Sequence, residues 1–558
     1  MSDFYNKVRR NYTVYDIFLA ATTLFFISVR LRLMNISFER DEGEYAYAAQ
    51  EILRGGLPYK DFYNMKMPGV YYIMAILFKF FGDSVYTVKI SLLCVNLFSA
   101  FFIFLTTRKL FDKNTGVAAA AIFLLFCLSY SAQGWTANAE HYVVMFGCAG
   151  LFFTIVARKK NRAVYLFPAG ILMMLAFICK QHGIGFLLFP FIWMLDISDF
   201  RLRTSDFGII RKASLKAKNS YKESEIRNPK SEIQNPKFKV QSLFYCITGA
   251  CLPFAIMLFY FWKSQILPNF YFLTFSYADA YASQRLPFKN VDQFRPIFWD
   301  NFIFWFLALL LVIFFTKSKI RNQANGFFPI LLLCSFGAIS LGWYYRPHYF
   351  QLGFPVGAIM SAWILVRLKI FLKFKGVSPA RYILIAFVAT LIIQFDYFFT
   401  ETSAELMPKM YGHSFFNEKK IIGLNLNNLT ANKHAKIGLF GCEPQIFFYA
   451  RRQSATGYMY MFPLLENHRF VSEMSQTFIK EIETAQPELL IYFPDIDQLS
   501  ENETNLIYLK NWFANFSMNY NIVAQAYIKD GVSIIDWRTE NKMRVCLDST
   551  IALIYKRK

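Results

Sequence analysis

Charge is what this sequence is short of. Only 18% of its 558 residues are Asp, Glu, Lys or Arg, below the roughly 25% usual for a soluble domain. Acidic residues are the scarcer sign, 38 against 60 Lys and Arg, leaving +22 at pH 7. So little charge excludes an ordinary cytosolic enzyme, and 64 Phe with 33 Tyr exclude a disordered chain. No cleavable signal peptide is visible. The first apolar run is long and lacks a small-residue cleavage site, so it is expected to stay as an anchor. No internal repeat relates the two halves, so the inverted-repeat pattern of a secondary transporter is missing. Of nine Cys, seven lie in or beside apolar runs, where the residue acts as a small hydrophobe. Cys442 and Cys546 lie apart from them, and sequence alone does not decide whether they pair.

What is present is apolar: 55% of residues are hydrophobic and 19% aromatic, with a mean hydropathy of +0.29. A bilayer span needs about 20 apolar residues. Eleven stretches are candidates: 14–34, 84–107, 116–132, 141–157, 163–179, 183–197, 242–262, 301–316, 327–345, 350–366 and 381–399. The stretch 183–197 is short and spans only if broken or tilted. The run 69–81 is shorter still and is expected at the interface.

Charge orients the set. Lys7, Arg9 and Arg10 precede the first span. Basic clusters at Arg108/Lys109/Lys113, Arg158–Arg162, Lys317/Lys319/Arg321 and Arg367–Lys375 each follow an even-numbered span. All then lie on the side of the N-terminus, which the positive-inside rule makes the cytoplasm. The loop 200–240 fits, with eleven Lys/Arg against four Asp/Glu over 201–240 and a tandem heptad, Ser224–Lys230 then Ser231–Lys237. Basic loops are the default inside, so no nucleic-acid partner is expected. Residues 400–558 hold 17 basic and 17 acidic residues, so the whole excess belongs to 1–399. Short β-rich runs there (Lys436–Phe440, Leu489–Phe493, Val532–Asp536, Ile551–Tyr555) alternate with helical patterns such as Arg469–Thr484. The expected fold is a polytopic α-helical membrane domain of about 11 spans (1–399), with a C-terminal α/β soluble domain (400–558). With the N-terminus in the cytoplasm, that soluble domain falls outside the cytoplasmic membrane.

Ionisable residues at a membrane edge point to function by default. They gather in the expected outward loops. The first, 35–83, reads FERDEGEYAYAAQEILRGGLPYKDFYNMKMPG at its centre. Asp41, Glu42 and Glu44 open a helical pattern that Gly55-Gly56 ends, followed by Tyr63 and Lys66. Asp41 with Glu44 three residues on also reads as a capping box. In the second loop Glu140 and His141 start a span, with Asn138 as a candidate cap. The pair is also a candidate metal or phosphate element. The third is the turn Lys180-Gln181-His182, where a Lys stands against the charge bias. It is either a snorkelling side chain or part of an anion site. The fourth holds Arg346, His348, Tyr349 and Gln351. Arg suits bidentate contact with phosphate. Carboxylates and cations converging on one cavity would suit transfer from a phosphate-linked donor, the cations holding the leaving phosphate and a carboxylate taking the acceptor's proton.

On these residues the sequence resembles the GT-C membrane glycosyltransferases. It is most similar to the bacterial branch of protein O-mannosyltransferase-like enzymes and the lipid A aminoarabinose transferase. The resemblance rests on Asp41-Glu42, Lys66-Met67-Pro68, Ala137-Asn138-Ala139-Glu140, Lys180-Gln181 and the Arg-Pro-His-Tyr-Phe stretch 346–350. It implies a polyprenyl-phosphate sugar donor, inverting transfer, and an acceptor lipid, glycan or protein. It makes Asp41 the base and has Glu42 and Glu140 orient it, bind acceptor or hold a metal. Lys66, Lys180 and Arg346 cradle the donor phosphate. Tyr63, Gln181, His348 and Tyr349 complete the substrate site. No cofactor is specified; a divalent metal stays open, with Glu140 and His141 as candidate ligands. The element is Lys-Met-Pro-Gly here, where the aminoarabinose transferases carry two prolines after the Lys. The rival classes are a transporter or flippase for a lipid-linked or anionic substrate, and a non-catalytic scaffold presenting the outer domain.

Overall fold

The computed structural model describes residues 13–194, 236–314, 326–372, 379–412, 415–537 and 550–558. Most of the basic loop 200–240 and Cys546 lie outside the described residues, so the expectations placed on them, the Cys442–Cys546 pair included, are not addressed; Cys442 itself is a buried thiol.

A helix begins at each of the eleven expected stretches or within a few residues of it. Five are long and apolar enough to cross a membrane: Val14–Arg32, Val85–Leu110, Ala139–Lys160, Lys237–Lys263 and Pro347–Arg367. The pair Val291–Asp300 and Phe302–Ile313, bent by 117°, makes a sixth if taken as one span. The remaining apolar helices, among them Lys113–Phe126, Gln181–Met194 and Phe327–Ile339, are shorter than a full crossing. The count of 11 therefore stands as eleven helical positions, with five or six full-length spans among the described residues. The protein is a multi-pass membrane protein.

Local sequence explains the helix ends. Ser84 and Asp112 cap the helices Val85–Leu110 and Lys113–Phe126, accepting from the backbone N–H groups of Thr87 and Thr115. Asn161 ends Ala139–Lys160 in the left-handed region. Small residues let helices touch. Gly170 and Gly249 sit where the helices Leu166–Cys179 and Pro236–Lys263 cross. A Cβ at either would lie 2.3 or 2.1 Å from a carbonyl oxygen of the other helix. The run Val117–Ala121 in Lys113–Phe126 is wholly buried for the same reason.

The C-terminal region builds a five-stranded mixed sheet from β1 Ile437–Phe440, β2 Leu489–Tyr492, β3 Tyr520–Lys529, β4 Val532–Asp536 and β5 Thr550–Arg557, in the order β1-β2-β5-β3-β4. Only β1 and β2 run parallel. Four strands match the expected runs. β3 is additional: its sequence YNIVAQAYIK carries Asn and Gln among its apolar positions, which blurs the alternation. The amphipathic helix Val471–Ala485 covers the expected helical run.

This region is docked on the first loop. Gly43 packs so tightly on the helix Gln445–Ala450 that a Cβ there would lie 2.4 Å from Gln445 Cβ. Tyr449 OH accepts from Phe38 N, and Tyr47 OH accepts from Ser454 N. Arg40 pairs with Glu443 at 2.8 Å, and buried Lys419 pairs with Glu443 and Asp495 at 2.8 and 3.0 Å. One continuous hydrophobic core runs from the membrane helices into the sheet.

Candidate functional site

A cavity of about 660 Å³ lies between the first loop, the helix ends of the membrane domain and the C-terminal region. The helix Arg40–Leu53 supplies its acidic edge. The capping box expected of Asp41 is not formed. Glu39 is the cap, and its two carboxylate oxygens accept from the backbone N–H groups of Asp41 and Glu42 at 2.9 and 2.8 Å. Asp41 is thereby left in the first turn with its side chain free to face the cavity. Glu44, one turn on, lies on the same side. Lys66 Nζ bridges the two, 2.8 Å from Asp41 Oδ1 and 2.7 Å from Glu44 Oε2, and Tyr71 OH donates to Glu44 Oε1.

Electrostatics follow from that bridge. Burial alone would push the Asp41 carboxyl up, but the Lys66 ammonium, with His348 and Lys180, outweighs it and holds Asp41 well below the usual carboxylate range. Burial would push Lys66 down, yet Asp41 and Glu44 hold it well above the usual value. Glu39 has no such cation: burial first, then the charges of Asp41 and Glu42, push it up to about 8. The Arg346 guanidinium is pushed above its ordinary value, first by Tyr281 and then by Tyr349 and Asp41, against the pull of burial.

Lys180 follows the end of the helix Leu166–Cys179 and is buried rather than snorkelling. Its Nζ lies 2.6 Å from Glu140 Oε1 and 4.5 Å from the centre of the Tyr349 ring. Gln181 donates to the Met65 carbonyl at 2.6 Å, tying this turn to the strand of loop that carries Lys66. His348 stands between the two acids, its Nε2 3.9 Å from Asp41 Oδ2 and 4.0 Å from Glu140 Oε1. Arg346 NH2 reaches Tyr281 OH at 3.4 Å. Asp41, Lys66, Lys180, Gln181, Arg346, His348 and Tyr349 all line the cavity, although they come from three separate loops.

Three expected residues are placed differently. Glu42 points away from the cavity into a buried pair with Lys89 at 2.6 Å, and its Oε1 also accepts from Ala137 N at 2.7 Å, so it clamps the second loop to the helix of Asp41. Tyr63 is not a lining residue. Its OH donates to Glu481 Oε1 at 2.6 Å and Gly457 packs on its ring, which makes it part of the dock. His141, offered as a metal ligand with Glu140, has Asn96 Oδ1 at 2.9 Å from its Nδ1, while Glu140 is held by Lys180. Among the described residues no group of three or more His, Cys, Asp or Glu could hold a metal ion. Asp41 and Glu140 each already carry an ammonium where a cation would sit, so this donor set does not fit a metal centre. The expected cap Asn138 is in place, but its side chain donates to Thr136 instead of capping.

The sequence reading missed the contribution of the C-terminal region. Tyr460, Phe462 and Glu466 form one wall of the cavity. Burial pushes the Glu466 carboxyl up to about 8, partly offset by the hydrogen bond from Tyr277 and by Arg346. Nothing in a neutral, separate-looking domain signals such a role. Gln133, Glu39 and Glu44 were also passed over as site residues; only Glu44 had a signal, its one-turn spacing from Asp41.

Residues 65–207 match the family described as dolichyl-phosphate-mannose-protein mannosyltransferase. The segment includes Lys66, Glu140 and Lys180 but not Asp41 or Arg346. No curated protein matches the chain significantly in sequence. Among solved structures, the chain is similar to ArnT from Cupriavidus metallidurans bound to undecaprenyl phosphate, with 14% identity, a TM-score of 0.56, and 96% and 97% of the two chains covered. It is also similar to the Archaeoglobus fulgidus oligosaccharyltransferase tethered to an acceptor peptide, with 12% identity, a TM-score of 0.52, and 96% and 75% covered. The same archaeal enzyme, AglB, in complex with an inhibitory peptide and a dolichol-phosphate, matches at 12% identity and a TM-score of 0.50, over 96% and 75% of the chains.

Proposed function

Starting from a membrane chain with the GT-C glycosyltransferase fold, we propose that it transfers a sugar from a polyprenyl-phosphate donor to an acceptor lipid, glycan or protein at the outer face of the cytoplasmic membrane. The observation that carries this reading is the convergence of Asp41, Lys66, Lys180 and Arg346 on one cavity from separate loops. A monoanionic sugar phosphodiester becomes a dianionic monoester when the sugar leaves. Fixed cations stabilise that developing charge without reorganising. Lys66, Lys180 and Arg346 provide them, and the aromatic rings of Tyr344, Tyr349, Tyr460 and Phe462 offer faces for sugar and lipid. Asp41 takes the proton of the acceptor hydroxyl, whose oxygen attacks the anomeric carbon from the side opposite the phosphate, inverting it. The domain 400–558 lies on the outer face and closes the cavity. The charged side chains sit at helix ends rather than along a path through the bilayer, which supports a transferase over a flippase.

Mass spectrometry of envelope glycans, glycolipids and glycoproteins, with and without the protein, tests the reading: one sugar addition should disappear. Asp41→Asn should abolish that addition while undecaprenyl phosphate still binds. An unchanged glycan profile on deletion removes the transferase, and full activity in Asp41→Asn removes the base.

A further inference from the structure

We propose that His348 is the proton relay of this site, receiving through Asp41 the proton that the acceptor hydroxyl gives up, and that Gln133 is the positioning residue that prepares it. The inference rests on the transferase reading above.

The argument starts from what Asp41 can do. Its Oδ1 is held by Lys66 at 2.8 Å, so the carboxylate keeps its charge and holds a transferred proton weakly. A second site is needed for the proton to stay while the sugar moves. His348 Nε2 is a candidate. It faces Asp41 Oδ2 at 3.9 Å and Glu140 Oε1 at 4.0 Å, and among the described residues it has no hydrogen-bond partner although the residue is only 6% exposed. An orphaned buried nitrogen of this kind is expensive unless the site uses it. A proton arriving there makes an imidazolium between two carboxylates, opposed by the like charges of Lys180, which is bound to the same Glu140 oxygen, and of Arg346, two residues away in the chain.

Which nitrogen is free is decided by the other one. His348 Nδ1 lies 2.9 Å from Gln133 Oε1. An amide oxygen only accepts, so Nδ1 carries the proton and Nε2 the lone pair. Gln133 is itself held. Its φ is +54°, in the left-handed region, within a tight turn where Gly134 N donates to Ser129 O at 3.0 Å. Gln351, on the same short helix as His348, donates to the Ala132 carbonyl at 2.9 Å. The turn and the His348 segment are therefore pinned together twice.

In the balanced step, the acceptor O–H bond breaks and its oxygen bonds to the anomeric carbon. The bond from that carbon to the phosphate oxygen breaks with its electron pair going to phosphate. The proton passes through Asp41 to His348 Nε2. A separation of 3.9 Å closes with one water or a small rotation, as catalytic contacts do once substrate is bound.

The test uses the purified full chain in detergent, a panel of hexosyl and pentosyl undecaprenyl phosphates as donors, and an envelope extract containing lipids, glycans and proteins as acceptor. Released undecaprenyl phosphate reports turnover; binding of undecaprenyl phosphate is measured separately. His348→Ala should lower turnover about 100-fold with donor binding unchanged, and added imidazole should restore part of the loss in proportion to its concentration. Gln133→Ala should lower turnover about tenfold through the wrong tautomer, and Gln133→Glu, which still accepts from Nδ1, should recover most of that. Wild-type turnover in His348→Ala overturns the relay, as does a loss that imidazole does not rescue, that a divalent cation restores, or that tracks lost donor binding. Wild-type turnover in Gln133→Ala overturns the positioning role. If the unaltered protein turns over no donor, the transferase reading fails and takes the relay with it; if it does and His348→Ala matches it, only the relay fails.

Discussion

At the scale of the residue, the site is a set of buried charges whose states are fixed by their neighbours. Lys66 serves Asp41 and Glu44 together, and Lys180 serves Glu140. Among the described residues, Arg346 is held through hydroxyl and ring contacts with Tyr281 and Tyr344. Among the described residues no carboxylate lies within ion-pair distance of it, unlike the other two cations, and so it is the readiest to take a phosphate. Arg346→Ala should weaken binding of undecaprenyl phosphate roughly 10- to 100-fold, the worth of one or two charge-assisted hydrogen bonds; unchanged affinity in a titration would take it out of the phosphate site. Glu466 makes a different prediction. Its carboxyl is raised to about 8 in the folded protein. The unfolded chain therefore loses this proton first as pH rises, and folding loses stability between about pH 4.5 and 8. Glu466→Gln cannot ionise, so its unfolding midpoint in detergent should fall less than that of the unaltered protein between pH 5 and 8. Parallel midpoints over that window would mean that Glu466 is not buried as the structure places it.

At the scale of the element, the helix Arg40–Leu53 is the piece everything meets. Its first turn carries Asp41, and Glu42 clamps the second loop. Its exposed end turns at Gly55, whose φ of +93° only glycine adopts freely. Its other face lies on Gln445–Ala450 through Gly43. Gly43→Ala would force the two helices apart at a contact of 2.4 Å. The expected cost is about 1–3 kcal/mol, the usual range for overpacking, read as a lower unfolding midpoint with a matching drop in turnover. A midpoint equal to that of the unaltered protein would refute the close packing of the C-terminal region on the loop. The contact also explains why β1 could be read from the sequence as a local element while the docking of the helix after it could not. Hydrophobic periodicity reports which face of an element is buried. It does not report against what.

At the scale of the whole molecule, charge and apolar length set the topology. The proposed arrangement puts Lys109 in the cytoplasm and Lys480 outside. Single Cys at these exposed positions should react differently with a membrane-impermeant maleimide added to intact cells or spheroplasts, Lys480→Cys being labelled and Lys109→Cys protected. The reverse pattern would invert the protein and move its cavity to the cytoplasmic face. The sequence by itself determined the membrane class, eleven helical positions, four of five strands and four of the eight Asp, Glu, Lys and Arg residues that line the cavity. Each of these depends on local composition, or on a charge standing where bulk composition does not account for it, as with Lys180 and Arg346. Only the tertiary structure decided that Glu39 rather than Asp41 caps the helix, that Glu42 and Tyr63 turn away from the cavity, and that Tyr460 and Glu466 form its far wall. Those facts depend on which side chains meet across hundreds of residues of chain, and partners brought together by folding leave no spacing in the sequence from which to read them.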